Sequence, residues 1–114
     1  MQTKTVDLQD IELKAYAFSI NMFSFVKTLE KAGKADNTTT YLLNLANSFY
    51  TNYLAAVDAK GKYERKVFLE ESKNIAEECL SVLQSFETGS KFLNEKVDLI
   101  IEIAELNKNI EINE

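Results

Sequence analysis

The 114-residue chain has no proline, no histidine and no tryptophan, and it has one cysteine and three glycines. Each absence removes possibilities. Without proline, and with glycine only at 33, 61 and 89, little obliges a helix to break, so long helices are favoured. Without histidine the usual neutral-pH general base and the commonest metal ligand are missing. The expectation is therefore a non-enzymatic chain with no cofactor and no metal site. A lone Cys79 can form neither an intramolecular disulfide nor a cysteine-based zinc site, which suits a reducing, cytoplasmic setting. Residues 1–7 lack the apolar run of a secretory leader, and no stretch approaches the ~18 apolar residues of a membrane span. No membrane association is expected.

What is present is an ordinary globular balance. Hydrophobic residues make up 46% and charged residues 27%. The length predicts a single domain, 1–114. The formal net charge is -5 and is unevenly spread. Residues 1–60 hold six Lys against six Asp/Glu, whereas residues 61–114 hold six Lys and Arg65 against twelve Asp/Glu. Phosphate binding needs clustered Lys and Arg, so the overall balance opposes a strong sequence-independent affinity for nucleic acid.

Three segments carry break signals: Ala32–Thr38, Asp58–Lys62 and Thr88–Ser90 each combine a glycine with capping residues. They predict helices over about 8–31, 38–58, 63–87 and 91–111. Each has apolar residues at alternating three- and four-residue spacing, the stripe of a bundle helix. The first seam is Ile11, Ala15, Phe18, Met22, Phe25 and Leu29. The second is Leu42, Ala46, Phe49, Tyr53 and Ala56. The third is Phe68, Ser72, Ile75, Cys79, Val82 and Phe86. The fourth is Phe92, Leu99, Ile103, Leu106 and Ile110, interrupted at Lys96. Short connections make successive helices antiparallel. The expected fold is all-α, an antiparallel up-down-up-down four-helix bundle.

Two helices carry more apolar surface than one stripe needs. The first has a second seam, Leu13, Tyr16, Ile20 and Phe23, on the side opposite its first. The fourth adds Leu93, Val97, Ile100 and Ala104. Large apolar residues on a second face suggest another burial partner, and the residues of the first helix are the expected homo-oligomer interface.

Few residues can carry chemistry. Two-metal carboxylate bundles need inward Glu and Glu-x-x-His motifs, and Glu77, Glu78, Glu102 and Glu105 are expected on solvated faces. Bundle-shaped nucleases of the helical higher-prokaryote nucleotide-binding type use an Arg-and-His motif, which this chain cannot supply. Cys79 lies in the third seam with no histidine to activate it. The isolated glycines form no phosphate-cradling loop. One basic patch stands out: Lys60, Lys62, Arg65 and Lys66 with Tyr63 among them, diluted by Glu64. Cations with an aromatic can grip a phosphate and stack a base, so these five residues are the candidate nucleic-acid contact. Asn52 adjoins the second apolar seam, where a polar amide can fix register between helices.

The run Ser48-Phe49-Tyr50-Thr51-Asn52-Tyr53-Leu54-Ala55-Ala56, followed by the basic turn Asp58–Lys62, resembles the second-helix signature of the four-helix bundle protein family encoded in large-subunit (23S) ribosomal-RNA intervening sequences. That signature reads roughly Ser-Ile-Pro/Gly-x-Asn-Ile-x-Glu-Ala/Gly. Tyr50 stands in place of its Pro or Gly, and Ala55 in place of its Glu. Tyr16–Phe23 and Phe68–Leu83 resemble the family's first and third helices, so the likeness spans about 10–110. The resemblance implies a bacterial or phage protein that assembles as a homopentameric ring without enzymatic activity. A related branch, the accessory variability determinants of diversity-generating retroelements, implies RNA or DNA binding and a reverse transcriptase partner. The alternative expectation is a small protein–protein interaction or regulatory scaffold with no nucleic-acid binding, its acidic second half suited to a basic partner.

Overall fold

The computed structural model describes residues 8–113, with side-chain surroundings over 10–111. Four helices follow one another: α1 Leu8–Lys31, α2 Asn37–Asp58, α3 Lys62–Ser85 and α4 Leu93–Asn113, the last preceded by a single 3-10 turn, Ser90–Phe92. Among the described residues each helix packs on its two neighbours in a closed cycle, α1 on α2 and α4, α3 on α2 and α4, and the diagonal pairs do not approach. With connections this short, the arrangement is the expected antiparallel four-helix bundle. Its principal extents are 47 × 27 × 19 Å.

Local chemistry sets the helix ends. At the end of α1 the Lys34 amide donates to the Leu29 carbonyl at 2.8 Å and the Gly33 amide to Glu30 at 3.0 Å. This is a Schellman closure, and it places Gly33 at φ 72°, a conformation that costs a residue with a Cβ. Asp36 then opens α2 with a capping box. Its carboxylate accepts from the amides of Thr38 at 2.9 Å and Thr39 at 3.2 Å, while the Asp36 amide donates to Thr39 Oγ1 at 2.9 Å. Asp36→Ala leaves two amides without their acceptor. It should cost ~1 kcal/mol, measured as a lower urea midpoint, with Asp36→Asn largely restoring stability.

The predicted seams of α1, α2 and α4 are all buried. The seam of α3 is corrected. Its buried residues are Leu69, Ser72, Ala76, Cys79 and Leu83, and Phe68, Ile75, Val82 and Phe86 are only half-buried beside the core. The sequence offers adjacent apolar pairs at 68–69, 75–76 and 82–83, so two stripes about 100° apart fit the spacing equally well. The bundle uses the stripe with small residues at its middle, and α3 packs more extensively on α2 than any other pair. Ser72 fits this buried stripe because its hydroxyl donates to the Phe68 carbonyl at 2.8 Å within its own turn.

The α3–α4 junction also differs by a few residues from expectation. α3 stops at Ser85, where the Phe86 amide bonds back to Val82 and Leu83, and the chain re-enters helix through the 3-10 turn. Lys96, the polar break in the α4 seam, has a structural use here. Its Nζ donates to the Phe86 carbonyl at 2.7 Å, satisfying the end of α3 with a cation. Asn52 makes no such link between helices in its one described bond. Its amide donates to Ser48 at 2.9 Å, inside α2.

Candidate interaction surfaces

The second seam of α1 stands on the outside of the bundle. Leu13 is 68% exposed, Tyr16 52%, Ile20 49% and Phe23 49%. Their spacing of three, four and three residues keeps them in one line on the helix surface. The line runs beside α2. The Tyr16 and Tyr50 rings lie 5.6 Å apart, and Ser19 reaches Asn47 at 3.4 Å. Lys27 closes one end of the line, with its Nζ 5.4 Å from the Phe23 ring and 3.2 Å from Glu30.

A feature of this layer was present in the sequence but is hidden by a net-charge count. α1 carries no charged residue from 15 to 26, and α2 carries none from 37 to 57. The exposed positions of α2 are Asn, Ser, Thr and Tyr instead, including Asn44, Asn47, Ser48 and Thr51. Spacing rules find apolar stripes, whereas this signal is the absence of charge on a face that water touches. α3 and α4 are the reverse. Glu70, Glu71, Glu77 and Glu78 are exposed on α3, with Glu95, Asp98 and Glu105 on α4. The second apolar set of α4 is looser: Leu93, Val97 and Ala104 are exposed and Ile100 is half-buried.

The basic residues gather at the α2–α3 turn and the first helical turn of α3. Lys60, Lys62, Tyr63, Arg65 and Lys66 are all exposed, and the Tyr63 ring is 81% open to solvent. Arg65 is partly committed, since its guanidinium donates to the Ala59 carbonyl at 3.3 Å and so ties the turn. Among the described residues no ion pair engages Lys60, Lys62 or Lys66. Cations at a helix N-terminus oppose the macrodipole, which favours anions there. Lys62 and Lys66 therefore sit where the fold alone gives no reason for them, near backbone amides that themselves favour an anion.

Between α1 and α4 the packing is sparser than elsewhere. A cleft of about 340 Å³ has Phe25 and Leu99 at its base and Glu95, Asp98 and Glu102 along its rim. Asn21 spans it, donating to both carboxylate oxygens of Glu102 at 3.1 Å. Among the described residues no group of three or more His, Cys, Asp or Glu side chains is gathered to hold a metal ion. No described helix is long and apolar enough to cross a membrane.

Cys79 and Tyr41 have shifted acidity. Burial, and to a smaller degree the Glu78 charge, push the Cys79 thiol up to about 12. A thiol held that firmly protonated is a poor nucleophile at neutral pH. Tyr41 on α2 is raised, chiefly because its hydroxyl donates to the Glu78 carboxylate across the α2–α3 interface at 2.8 Å.

No family model matches the chain, and neither the curated proteins nor the solved structures contain a match to it.

Proposed function

We propose that this chain is a non-enzymatic, homo-oligomeric four-helix bundle that serves as an accessory or scaffold protein for a nucleic-acid-processing partner. The observation that carries the reading is the exposed stripe Leu13, Tyr16, Ile20 and Phe23. A monomer gains nothing from four large apolar side chains on an outer face, while an assembly buries them. The resemblance to the intervening-sequence bundle family and to the retroelement accessory determinants supports the rest: a cytoplasmic protein of bacterial or phage origin with a reverse transcriptase as partner. The basic turn supports contact with RNA or DNA. Assembly would repeat Lys60, Lys62, Tyr63, Arg65 and Lys66 on every subunit, and weak phosphate contacts then add through multivalency.

The test is RNA binding by the assembled protein across a salt series. Changing Lys60, Lys62, Arg65 and Lys66 together to Glu should weaken binding on the order of tenfold or more at low salt and flatten the salt dependence. Acidic residues favour the first turn of α3, and far-UV circular dichroism checks that losing the Arg65 bond to the Ala59 carbonyl leaves the helices intact. If the unaltered protein binds no RNA or DNA at low salt, the nucleic-acid part of the reading fails. The alternative, a protein–protein scaffold, then stands on the exposed carboxylates of α3, which complement a basic protein surface.

A further inference from the structure

We infer that the uncharged α1–α2 face docks the same face of a second copy of this chain, giving a two-fold dimer. The inference rests on the self-association proposed above and adds the α2 half of the surface and the symmetry. The face is built from the α1 stripe Leu13, Tyr16, Ile20 and Phe23 and from its α2 neighbours, which the Tyr16–Tyr50 and Ser19–Asn47 contacts bring alongside.

Three observations choose the occupant. The first is size. The uncharged stretches, 15–26 of α1 and 37–57 of α2, are about 18 and 32 Å of helix, each presenting a strip about 10 Å wide. That is on the order of 500 Å² per copy, and the ~1,000 Å² buried by two copies reaches the size at which a specific interface begins.

The second is charge. The absence of charged residues over 15–26 and 37–57 means that neither an acidic nor a basic partner finds a complement here. Two copies of the face meet without like-charge repulsion, and burying them strands no ion. Docking it instead on the α3–α4 side of a neighbour would cover Glu70, Glu77 or Asp98, exposed carboxylates that would lose water and gain no cation.

The third is residue type. Interface cores favour aromatics and exclude Lys and Glu. The face offers Tyr16, Phe23 and Tyr50 as rigid anchors among amide and hydroxyl side chains. Pairing a face with itself is an isologous contact, and such a contact closes at two subunits. A ring of five needs two different faces, so solution mass separates the two assemblies.

The experiment is light scattering of the full chain over a concentration series. Two variants charge the face at exposed positions: the double change Ile20→Glu with Phe23→Glu on α1, and Asn47→Lys on α2. A control charges the other apolar set, Leu93→Glu with Val97→Glu on α4, both at exposed positions. Far-UV circular dichroism confirms that each remains helical. The expected result is a species of about 26 kDa, twice the 13.0 kDa chain. The α1 and α2 variants should each raise the dissociation constant about a hundredfold or more, and the α4 control should leave it unchanged. A monomer at ~100 µM overturns both this inference and the oligomeric part of the proposed function. A ring of five, or an oligomer dispersed by the α4 change and untouched by the α1 and α2 changes, overturns the inference and leaves the oligomeric reading standing.

Discussion

Phe49→Ala is expected to lower the stability of the bundle by ~3–5 kcal/mol. That is a large part of the ~5–15 kcal/mol available to a domain of this size. The ring is fully buried on α2 and joins two others. It meets Phe18 of α1 edge-on at 6.5 Å and 80°, and it lies nearly parallel to Tyr53 at 6.2 Å and 13°. Such aromatic pairs add about 0.5–1.5 kcal/mol each beyond area burial. Truncation therefore removes transfer free energy, opens a cavity and breaks both ring contacts. The neighbours are themselves rings with few rotamers, so collapse into the space is limited, and the upper part of the range is expected. With a urea slope of ~1–3 kcal/mol per molar, the midpoint should fall by about 2 M with little change in slope. Phe49→Leu nearly conserves volume and should lose less than half as much. A midpoint shift below ~0.5 M for Phe49→Ala would place the mechanical centre of the core elsewhere.

Three of the four helices could be placed on the core from spacing alone, and α3 shows why the fourth could not. In α1, α2 and α4 the seam that the spacing picks out is the one the bundle buries, although large apolar neighbours such as Phe23, Leu43, Tyr50 and Ile100 flank it. In α3 the doublets Phe68-Leu69, Ile75-Ala76 and Val82-Leu83 offer two stripes, and hydrophobicity prefers the wrong one because it carries the larger side chains. Packing prefers the other. A stripe of Ser72, Ala76 and Cys79 lets α2 approach closely, and the bulky Phe68, Ile75 and Val82 fill the flank. Sequence spacing has no term for how near a neighbouring helix must come. The helix ends tell the same story on a smaller scale. Asp36 and Gly33 announce the α1–α2 turn, whereas the end of α3 depends on Lys96, ten residues away, reaching back to the Phe86 carbonyl.

The surfaces were legible to different degrees for physical reasons. The exposed stripe on α1 follows from helical geometry, since residues on the side of a helix away from its buried seam face outward unless another element covers them. The basic turn was visible as composition, but its arrangement was not. Arg65 is drawn onto the Ala59 carbonyl, and Lys62, Arg65 and Lys66 sit at the positive end of α3. The most informative surface signal was an absence. Two uncharged stretches, far apart in sequence, become one face only because α1 and α2 pack together. Neither stretch means much alone, and their adjacency is a property of the fold.

Cys79 should be silent to thiol reagents in the native bundle and should make the fold less stable at high pH. Its side chain is fully buried in the α3 seam, and burial together with the Glu78 charge raises it from 9.0 to about 12. At pH 8 roughly one thiol in ten is ionised in the unfolded chain and about one in ten thousand in the native one. Alkylation should therefore be at least ~1000-fold slower in buffer than in denaturant, and burial slows it further. The stability effect has a definite sign. A raised native value means that the native state holds its proton where the unfolded state loses it, so the contribution is complete below pH 9 and declines as pH rises toward 12. The slope over that window is ~1.4 kcal/mol per pH unit for this one group. Tyr41 adds a loss of the same sign above pH 10, because its hydroxyl gives up the hydrogen bond to Glu78 when it ionises. Urea midpoints measured from pH 8 to 11 for the unaltered protein, Cys79→Ala and Tyr41→Phe separate the two groups. Cys79→Ala should start lower, from the small cavity it leaves, and then fall less steeply with pH. Parallel curves for Cys79→Ala and the unaltered chain, or equal alkylation rates with and without denaturant, would show that water reaches the thiol and that the α3 seam is open there.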